Sequence, residues 1–210
     1  MSADVSPSLP SFPPPPRPWS TTTKLAEAFR VAADKFAGKT KKGGLIPYIS
    51  HLMGVCAIAL EHGAGEDEAV SALLHDMIED VRPAEEARAA VATFGPEVLR
   101  IVEGCSDSSA HPKPPWRERK ERYIAHLETA DRPVLLVSAA DKLHNARAIA
   151  ADLRDQGPSV WDRFNAGRED ELWYYRSLLD VFRRRLTGVP ALIAELELAI
   201  RQMERSERRG

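Results

Sequence analysis

Four side chains that can bind a cation or move a proton stand close together in residues 71–81, SALLHDMIEDV. His75, Asp76, Glu79 and Asp80 place three carboxylates around one imidazole. On a helix, residues three and four apart share a face, so these groups would form one polar patch opposite the apolar side. The carboxylates would repel one another, and a buried one would take up a proton, unless a divalent metal ion neutralised them. A metal site is one interpretation, and an acidic stripe that faces solvent is the other.

Two polar residues elsewhere interrupt segments that are otherwise apolar. Asp141 follows the almost wholly apolar residues 134–140, where a carboxylate needs a partner to offset its loss of hydration. Lys142 and Asn145 are local candidates for that partner. His51 lies on a short apolar helix and, taken alone, is more typical of a hydrogen-bonded core histidine than of a metal ligand. Neither residue identifies a site by itself.

Four of these residues together indicate a metal site more specifically than any one of them does alone. They supply two imidazoles and two carboxylates: His51, His75, Asp76 and Asp141. This donor set suits an open-sided site for Mn²⁺, Fe²⁺ or Zn²⁺, and the combination of imidazole with hard oxygen ligands favours Mn²⁺. Water and substrate would fill the remaining coordination positions.

Helices must position these groups, because no stretch alternates apolar and polar residues with the period of a strand. Residues 66–81 predict one amphipathic helix. Its apolar face would carry Val70, Leu73, Leu74 and Met77. The apolar segment after Pro133 predicts a central helix that carries Asp141. We therefore expect an all-α bundle of about eight to ten helices.

The length of 210 residues, 43% of them hydrophobic, favours one domain with a single core. Residues 1–23 are rich in proline and serine and should form a disordered tail. Residues 24–187 should form the domain that holds the metal site. Residues 188–210 should form a C-terminal helix packed on that domain.

Composition narrows the function classes. The formal net charge of −2 argues against a nucleic-acid-binding surface. The two cysteines form neither a disulfide framework nor a CxxC metal motif. No apolar run is long enough to span a bilayer and the N-terminus lacks the pattern of a signal peptide, so we expect a cytoplasmic protein with no membrane partner. The oligomeric state has no signature in the sequence.

Three motifs follow one another along the chain: KKGGLIPYISH, ALLHDMIED and AADKLHNAR. With these motifs the chain resembles the HD-domain metal-dependent phosphohydrolases. It is more closely similar to the alarmone hydrolase domain of the Rel/Spo homologues and to the stand-alone small alarmone hydrolases. The resemblance runs over residues 26–182, so that residues 24–187 would be the hydrolase domain.

The resemblance implies one Mn²⁺ held by the two imidazoles and two carboxylates named above, in an all-helical fold. It also implies hydrolysis of (p)ppGpp at the 3′ position, with release of pyrophosphate and GDP or GTP. Glu79 and Asp80 match the family's ED pair, which would activate or orient the attacking water. Asn145 matches a nucleotide-contacting asparagine. Lys41 and Lys42 stand at the pair of basic residues beside the guanine base.

The expected partner is therefore a small-molecule nucleotide, whose diphosphates require cations. The basic run that follows a turn-rich loop could supply them, although these side chains could equally face solvent. The run contains Arg117, Arg119, Lys120 and Arg122. Tyr174 or Tyr175 would correspond to a tyrosine of the family near the ribose or base.

Departures from the family pattern keep other functions open. Lys41 replaces the first arginine of the family's RK pair and loses a planar group that can stack on a base. His51 is followed by leucine instead of proline, and residues 35–39 lack the histidine and glutamine of an early family motif. A phosphohydrolase acting on another nucleotide such as NADPH is one alternative. A non-catalytic nucleotide-binding helical module is the other, and the intact ED pair at Glu79 and Asp80 argues against it.

Overall fold

The computed structural model describes residues 23–108, 110 and 112–205. These residues form ten α-helices and one short 3-10 helix, without a strand, which confirms the all-α prediction. The α-helices are α1 (Thr23–Lys35), α2 (Ile49–Glu61), α3 (Glu66–Leu74), α4 (Met77–Asp80), α5 (Ala84–Ala92), α6 (Pro96–Cys105), α7 (Trp116–Leu127), α8 (Arg132–Gln156), α9 (Gly167–Arg185) and α10 (Pro190–Arg205). The 3-10 helix is Gly157–Arg163. The tail expected at residues 1–23 lies outside the described residues, apart from Thr23.

The helix α8 is the centre of the fold, as its apolar sequence predicted. It is 25 residues long and packs against α2, α3, α6, α9 and α10. Asp131 caps its first turn by accepting a hydrogen bond from the Val134 N–H at 3.4 Å, while Pro133 in that turn has no N–H to leave unpaired. This packing on several sides holds Asp141 inside the protein, where it is 7% exposed.

The predicted helix at residues 66–81 is broken, because α3 ends at Leu74 and α4 begins at Met77. The break has a local cause. His75 Nδ1 donates a hydrogen bond to the Ala72 carbonyl oxygen at 2.9 Å, and in a continuous helix that oxygen would accept from the N–H of Asp76. Adjacent residues of a continuous helix do not face each other. The turn brings the His75 and Asp76 side chains to the same side instead.

The C-terminal helix α10 packs on α8 and α9. Its apolar stripe is buried against them and consists of Leu192, Leu196, Ala199, Ile200 and Met203. Burial of such a stripe is the main source of stability for an amphipathic helix. Across the described part of the chain, each helix is either too short or too polar to cross a membrane.

Candidate metal centre and the cavities beside it

Four side chains from three separated segments meet beside α8. His51 comes from the first turn of α2, His75 and Asp76 from the turn between α3 and α4, and Asp141 from the middle of α8. The Nε2 atoms of His51 and His75 are 3.3 Å apart. The Asp76 Oδ2 atom lies 3.2 Å from His75 Nε2 and 3.5 Å from His51 Nε2. The Asp141 Oδ1 atom lies 3.6 Å and 3.3 Å from the same two nitrogens.

These separations fit the ligand shell of one divalent ion. Two ligands that each lie about 2.1 Å from a metal are about 3.0 Å apart at a right angle and about 3.4 Å apart at the tetrahedral angle. His51, His75 and Asp141 are buried, and each offers one atom within 4.8 Å of the others. Two imidazole nitrogens and two carboxylate oxygens are a donor set for first-row divalent metals. The residues therefore fit a divalent ion.

The electrostatics of the centre also favour positive charge. Burial lowers the pKa of His75, but the carboxylates of Asp76 and Asp141 outweigh burial and hold this pKa well above its usual value. Burial raises the pKa of Asp141, but Lys142 and the two imidazoles outweigh it and hold that pKa well below its usual value. Both carboxylates remain ionised at neutral pH, as ligands to a metal must be.

Hydrogen bonds behind the two imidazoles leave their Nε2 atoms available as ligands. Because His75 Nδ1 donates to Ala72, the neutral His75 ring carries its lone pair on Nε2. The His51 Nδ1 atom lies 2.9 Å from His144 Nδ1. Burial, followed by the charges of His51 and Lys41, lowers the pKa of His144 to about 4. His144 is therefore neutral and can accept the Nδ1 proton of His51.

A glycine makes room for His144. Gly54 lies in α2 three residues after His51, and a Cβ atom at this position would be 2.3 Å from His144 Cδ2 and 2.4 Å from His144 Nε2. An ordinary contact of a Cβ atom is 3.4–4 Å. The absence of a side chain at Gly54 thus lets the His144 imidazole reach His51.

The two carboxylates are oriented by hydrogen bonds as well. Asp141 Oδ1 accepts from Asn145 Nδ2 at 2.6 Å, and Asp141 Oδ2 accepts from Lys142 Nζ at 2.6 Å. These are the two local partners that the sequence offered. Asp76 Oδ2 accepts from the Tyr48 hydroxyl at 2.5 Å. Such contacts to the ligands fix their geometry before a metal binds.

Glu79 and Asp80 border a cavity of about 170 Å³ that the four candidate ligands also line. Lys113 Nζ lies 2.6 Å from Glu79 Oε1, and Lys39 Nζ lies 2.5 Å from Asp80 Oδ2. Burial, followed by the Asp107 carboxylate, raises the pKa of Glu79 against the opposing effect of Lys113. A carboxylate with a raised pKa is better suited to accept a proton near neutral pH.

A larger cavity of about 300 Å³ adjoins this one. The residues that line both are Tyr48, His51, Lys120, Lys142, Asn145 and Tyr174. The remaining residues of the larger cavity do not line the smaller one. We call the part of the larger cavity that they line the outer chamber. It includes the basic residues Lys41 and Lys42 and the aromatic residues Trp116, Phe164 and Tyr175. The outer chamber therefore places aromatic and basic side chains next to the metal centre.

The structure brings most of the predicted substrate residues to these cavities. Those that line at least one of them are Lys41, Lys42, Lys120, Asn145 and Tyr174. The Tyr174 hydroxyl is buried without a hydrogen-bond partner among the described residues. Lys120 Nζ lies 4.6 Å from the centre of the Tyr174 ring. A polar ligand would satisfy the hydroxyl.

The basic run of α7 divides into cavity and surface residues. Arg119 lines neither cavity and donates to Asp107 instead. Asp107 Oδ2 also accepts from Lys120 Nζ at 2.7 Å. Arg117 and Arg122 are about half exposed and pair with surface carboxylates. Only Lys120 of the four is placed to meet a ligand.

Several residues at the site had no role assigned from the sequence. Tyr48 lies three residues before His51 and His144 lies three residues after Asp141, so the spacing of a helical turn could have found both. Lys39 and Lys113 come from loop segments whose sequence carries no periodic signal. Only the folded chain shows that they reach the ED pair.

Two known proteins with sequences similar to this chain are both named as hydrolases of guanosine bis(diphosphate) nucleotides. The Danio rerio protein named guanosine-3′,5′-bis(diphosphate) 3′-pyrophosphohydrolase MESH1 is 36% identical over 145 residues, which cover 68% of this chain and 76% of that protein. The bifunctional (p)ppGpp synthase/hydrolase SpoT of Escherichia coli K12 is 32% identical over 134 residues, which cover 61% of this chain but only 18% of that longer protein.

Solved structures agree with this similarity. The structure of a metazoan ortholog of SpoT that hydrolyses ppGpp matches with a TM-score of 0.71 and 26% identity, over 88% of this chain and 97% of that one. A protein from Listeria monocytogenes EGD-e matches with a TM-score of 0.61 and 28% identity, over 73% of this chain and 96% of that one. The profile of the HD domain matches residues 28–171, which is more than half of the chain. The chain therefore belongs to the HD domain family, as its three motifs indicated.

Proposed function

We propose that this protein hydrolyses the 3′-pyrophosphate of (p)ppGpp to pyrophosphate and GDP or GTP. The observation that carries the proposal is the meeting of two imidazoles and two carboxylates in one of two neighbouring cavities that share six lining residues. Relatives named as hydrolases of this nucleotide support the choice of substrate. The hydrolytic step forms a bond between a water oxygen and the phosphorus on O3′. The P–O3′ bond breaks, and O3′ keeps the electron pair and takes up a proton.

The ion would be held by His51, His75, Asp76 and Asp141. The mixture of imidazole and carboxylate donors favours Mn²⁺, with Fe²⁺ or Zn²⁺ as the alternatives. When bound, the ion supplies Lewis acidity at the phosphoryl group that reacts.

Glu79 is our candidate for the group that accepts the proton of the attacking water. It borders the same cavity as the candidate ligands, and its pKa is raised by burial and by Asp107. The hydrogen bond from Lys113 fixes the carboxylate in position. Asp80, held by Lys39, would orient the water.

Lysines would bind the phosphates, and the outer chamber would bind the nucleoside. Lys120 and Lys142 line both cavities, next to the metal centre. The outer chamber offers Trp116, Phe164 and Tyr175 for stacking on a base. Arg119 would act indirectly, by holding Asp107.

The experiment is a product assay with metal-depleted protein reloaded with Mn²⁺. We expect GDP and pyrophosphate in equal amounts from ppGpp. Asp141→Asn should lose both the bound metal and the activity, whereas Asp155→Asn, an exposed position of the same helix, should keep both. Release of orthophosphate from NADPH without attack on ppGpp would replace this function with a phosphatase. Tight binding of ppGpp without turnover would assign a nucleotide-binding module.

A further inference from the structure

One carboxylate that lines the outer chamber makes no hydrogen bond to the described part of the chain. Glu171 lies in α9, is 7% exposed and lines the larger cavity. Its carboxylate accepts no hydrogen bond from any residue in the described ranges, and its electrostatic contacts are with charges at a distance. Its oxygens are not enclosed by the protein but are accessible from the cavity. They can therefore accept hydrogen bonds from a ligand in the outer chamber.

The other carboxylate of the outer chamber is already satisfied. Asp152 Oδ2 accepts from Arg163 Nη1 at 2.8 Å. Glu171 is thus the acid of this chamber whose oxygens are free to accept from a ligand. Burial raises the pKa of Glu171 above its usual value, and the charges of Lys120, Lys142 and Lys42 only partly oppose that effect. The three lysines nevertheless place positive charge around this carboxylate.

The position of Glu171 relates it to the base rather than to the phosphates. It lines the larger cavity and not the smaller one, so it lies on the side away from the metal centre. With the 3′-pyrophosphate at the metal centre and the ribose near Asn145 and Tyr174, the base extends into the outer chamber. Glu171 and Tyr175 lie four residues apart on α9 and so share a face of that helix, which places the carboxylate beside a base that stacks on Tyr175.

We infer that Glu171 recognises the Watson–Crick edge of guanine and makes the enzyme selective for guanine over adenine nucleotides. This inference rests on the proposed function for the direction in which the nucleotide lies. Guanine presents two adjacent donors on that edge, its N1–H and its 2-amino group, and an ionised carboxylate offers two acceptors. The resulting pair of charge-assisted hydrogen bonds is bidentate.

The same carboxylate rejects other purines. Adenine places the lone pair of N1 against the carboxylate, so one contact becomes repulsive. Hypoxanthine keeps the N1–H but lacks the 2-amino group, so it can donate one hydrogen bond only. A glutamine at this position would instead offer one donor and one acceptor, which is the pattern that adenine matches.

The test is to measure kcat/KM of wild type and Glu171→Gln with the 3′,5′-bis(diphosphates) of guanosine, inosine and adenosine. Wild type should prefer guanosine to inosine and inosine to adenosine. The variant should lower the guanosine-to-adenosine ratio by about 5- to 150-fold, the discrimination expected of one bidentate base contact. Glu169→Gln is the matched control, because that side chain is 78% exposed on the same helix, and it should keep the wild-type ratio.

Binding of GDP and ADP separates this inference from the proposed function. The preference of wild type for GDP should fall in Glu171→Gln by the same factor, whether or not the protein turns over any bis(diphosphate). If wild type hydrolyses ppGpp but Glu171→Gln keeps its guanosine-to-adenosine ratio within twofold, Glu171 does not read the base and the function stands. If wild type hydrolyses none of the three bis(diphosphates), the proposed function is wrong. The change in the GDP-to-ADP binding ratio between wild type and Glu171→Gln then decides alone whether Glu171 reads the base. An unchanged melting temperature of the variant shows that folding is intact.

Discussion

Substituting Gly54 by alanine should weaken metal binding without touching a ligand. The new Cβ atom would lie 2.3 Å from His144 Cδ2, more than 1 Å inside an ordinary contact. The helix α2 is packed on α8, so the imidazole of His144 must move away. His51 then loses the group that holds its Nδ1 proton and orients its Nε2 atom.

The expected magnitudes differ for stability and for metal affinity. Alanine in a helix interior gains about 1 kcal/mol over glycine, whereas overpacking costs about 1–3 kcal/mol, so the net loss of folding free energy is about 0–2 kcal/mol. Removing an outer hydrogen-bond partner of a metal ligand lowers affinity by about 10- to 100-fold. This corresponds to about 1.4–2.8 kcal/mol of binding free energy.

The assay combines Mn²⁺ titration calorimetry with urea unfolding of the metal-free protein. Gly104→Ala is the matched control, because a Cβ atom there would lie 2.7 Å from Val134 Cγ2 in the core. It should lose comparable stability and keep its Mn²⁺ affinity. In a His144→Ala background the clash is absent, so adding Gly54→Ala should leave the Mn²⁺ affinity unchanged and should raise the folding free energy by about 1 kcal/mol, the helix-propensity gain alone.

Two results would refute this reasoning. One is a Gly54→Ala protein that binds Mn²⁺ within twofold of wild type. The other is a further fall in Mn²⁺ affinity when Gly54→Ala is added to His144→Ala, since the effect would then not pass through the imidazole.

Three further outcomes are expected. Glu79→Gln should bind one Mn²⁺ per chain as wild type does but turn over ppGpp about 10²- to 10⁴-fold more slowly in a single-turnover assay, and full activity would remove Glu79 from the mechanism. Lys113→Met removes a cation that lowers the pKa of Glu79, so the pKa of Glu79 should rise. The acid limb of the plot of kcat/KM against pH should then move to higher pH. A limb that stays in place contradicts the assignment of Glu79 as the base. Removing the metal with a chelator should lower the melting temperature. Adding Mn²⁺ at about 100 times its Kd should restore about 2.7 kcal/mol of folding free energy. Mg²⁺ should not restore it, because Mg²⁺ binds poorly to imidazole ligands.

Much of the fold followed from helical periodicity in the sequence. The apolar segment after Pro133 predicted the central helix, and α8 extends from Arg132 to Gln156. The prediction of one helix over residues 66–81 was wrong, because its apolar pattern continues through the turn at His75 and Asp76. Hydrophobic periodicity reports which residues are buried, and both α3 and α4 bury theirs. It does not reveal a side chain such as His75, which donates a hydrogen bond to the Ala72 carbonyl oxygen in place of a helical N–H.

The candidate site was predictable where motif residues carry the donors and was not predictable where neighbours act from a distance. His144 stands inside the motif AADKLHNAR, but its role depends on the space above Gly54, ninety positions earlier in the chain. Glu171 lies on an amphipathic helix where an acid reads as a surface residue, and its burial follows from how α9 packs on α7 and α8. Such tertiary facts have no local sequence signal.

Anomalous diffraction from crystals of the protein soaked in Mn²⁺ tests most directly whether His51, His75, Asp76 and Asp141 hold one ion. We expect a single strong peak at the manganese edge, about 2.0–2.3 Å from the two Nε2 atoms and from one oxygen of each carboxylate. If crystals that hydrolyse the substrate show no such peak, or if the peak lies elsewhere in the cavities, these residues are not the metal ligands.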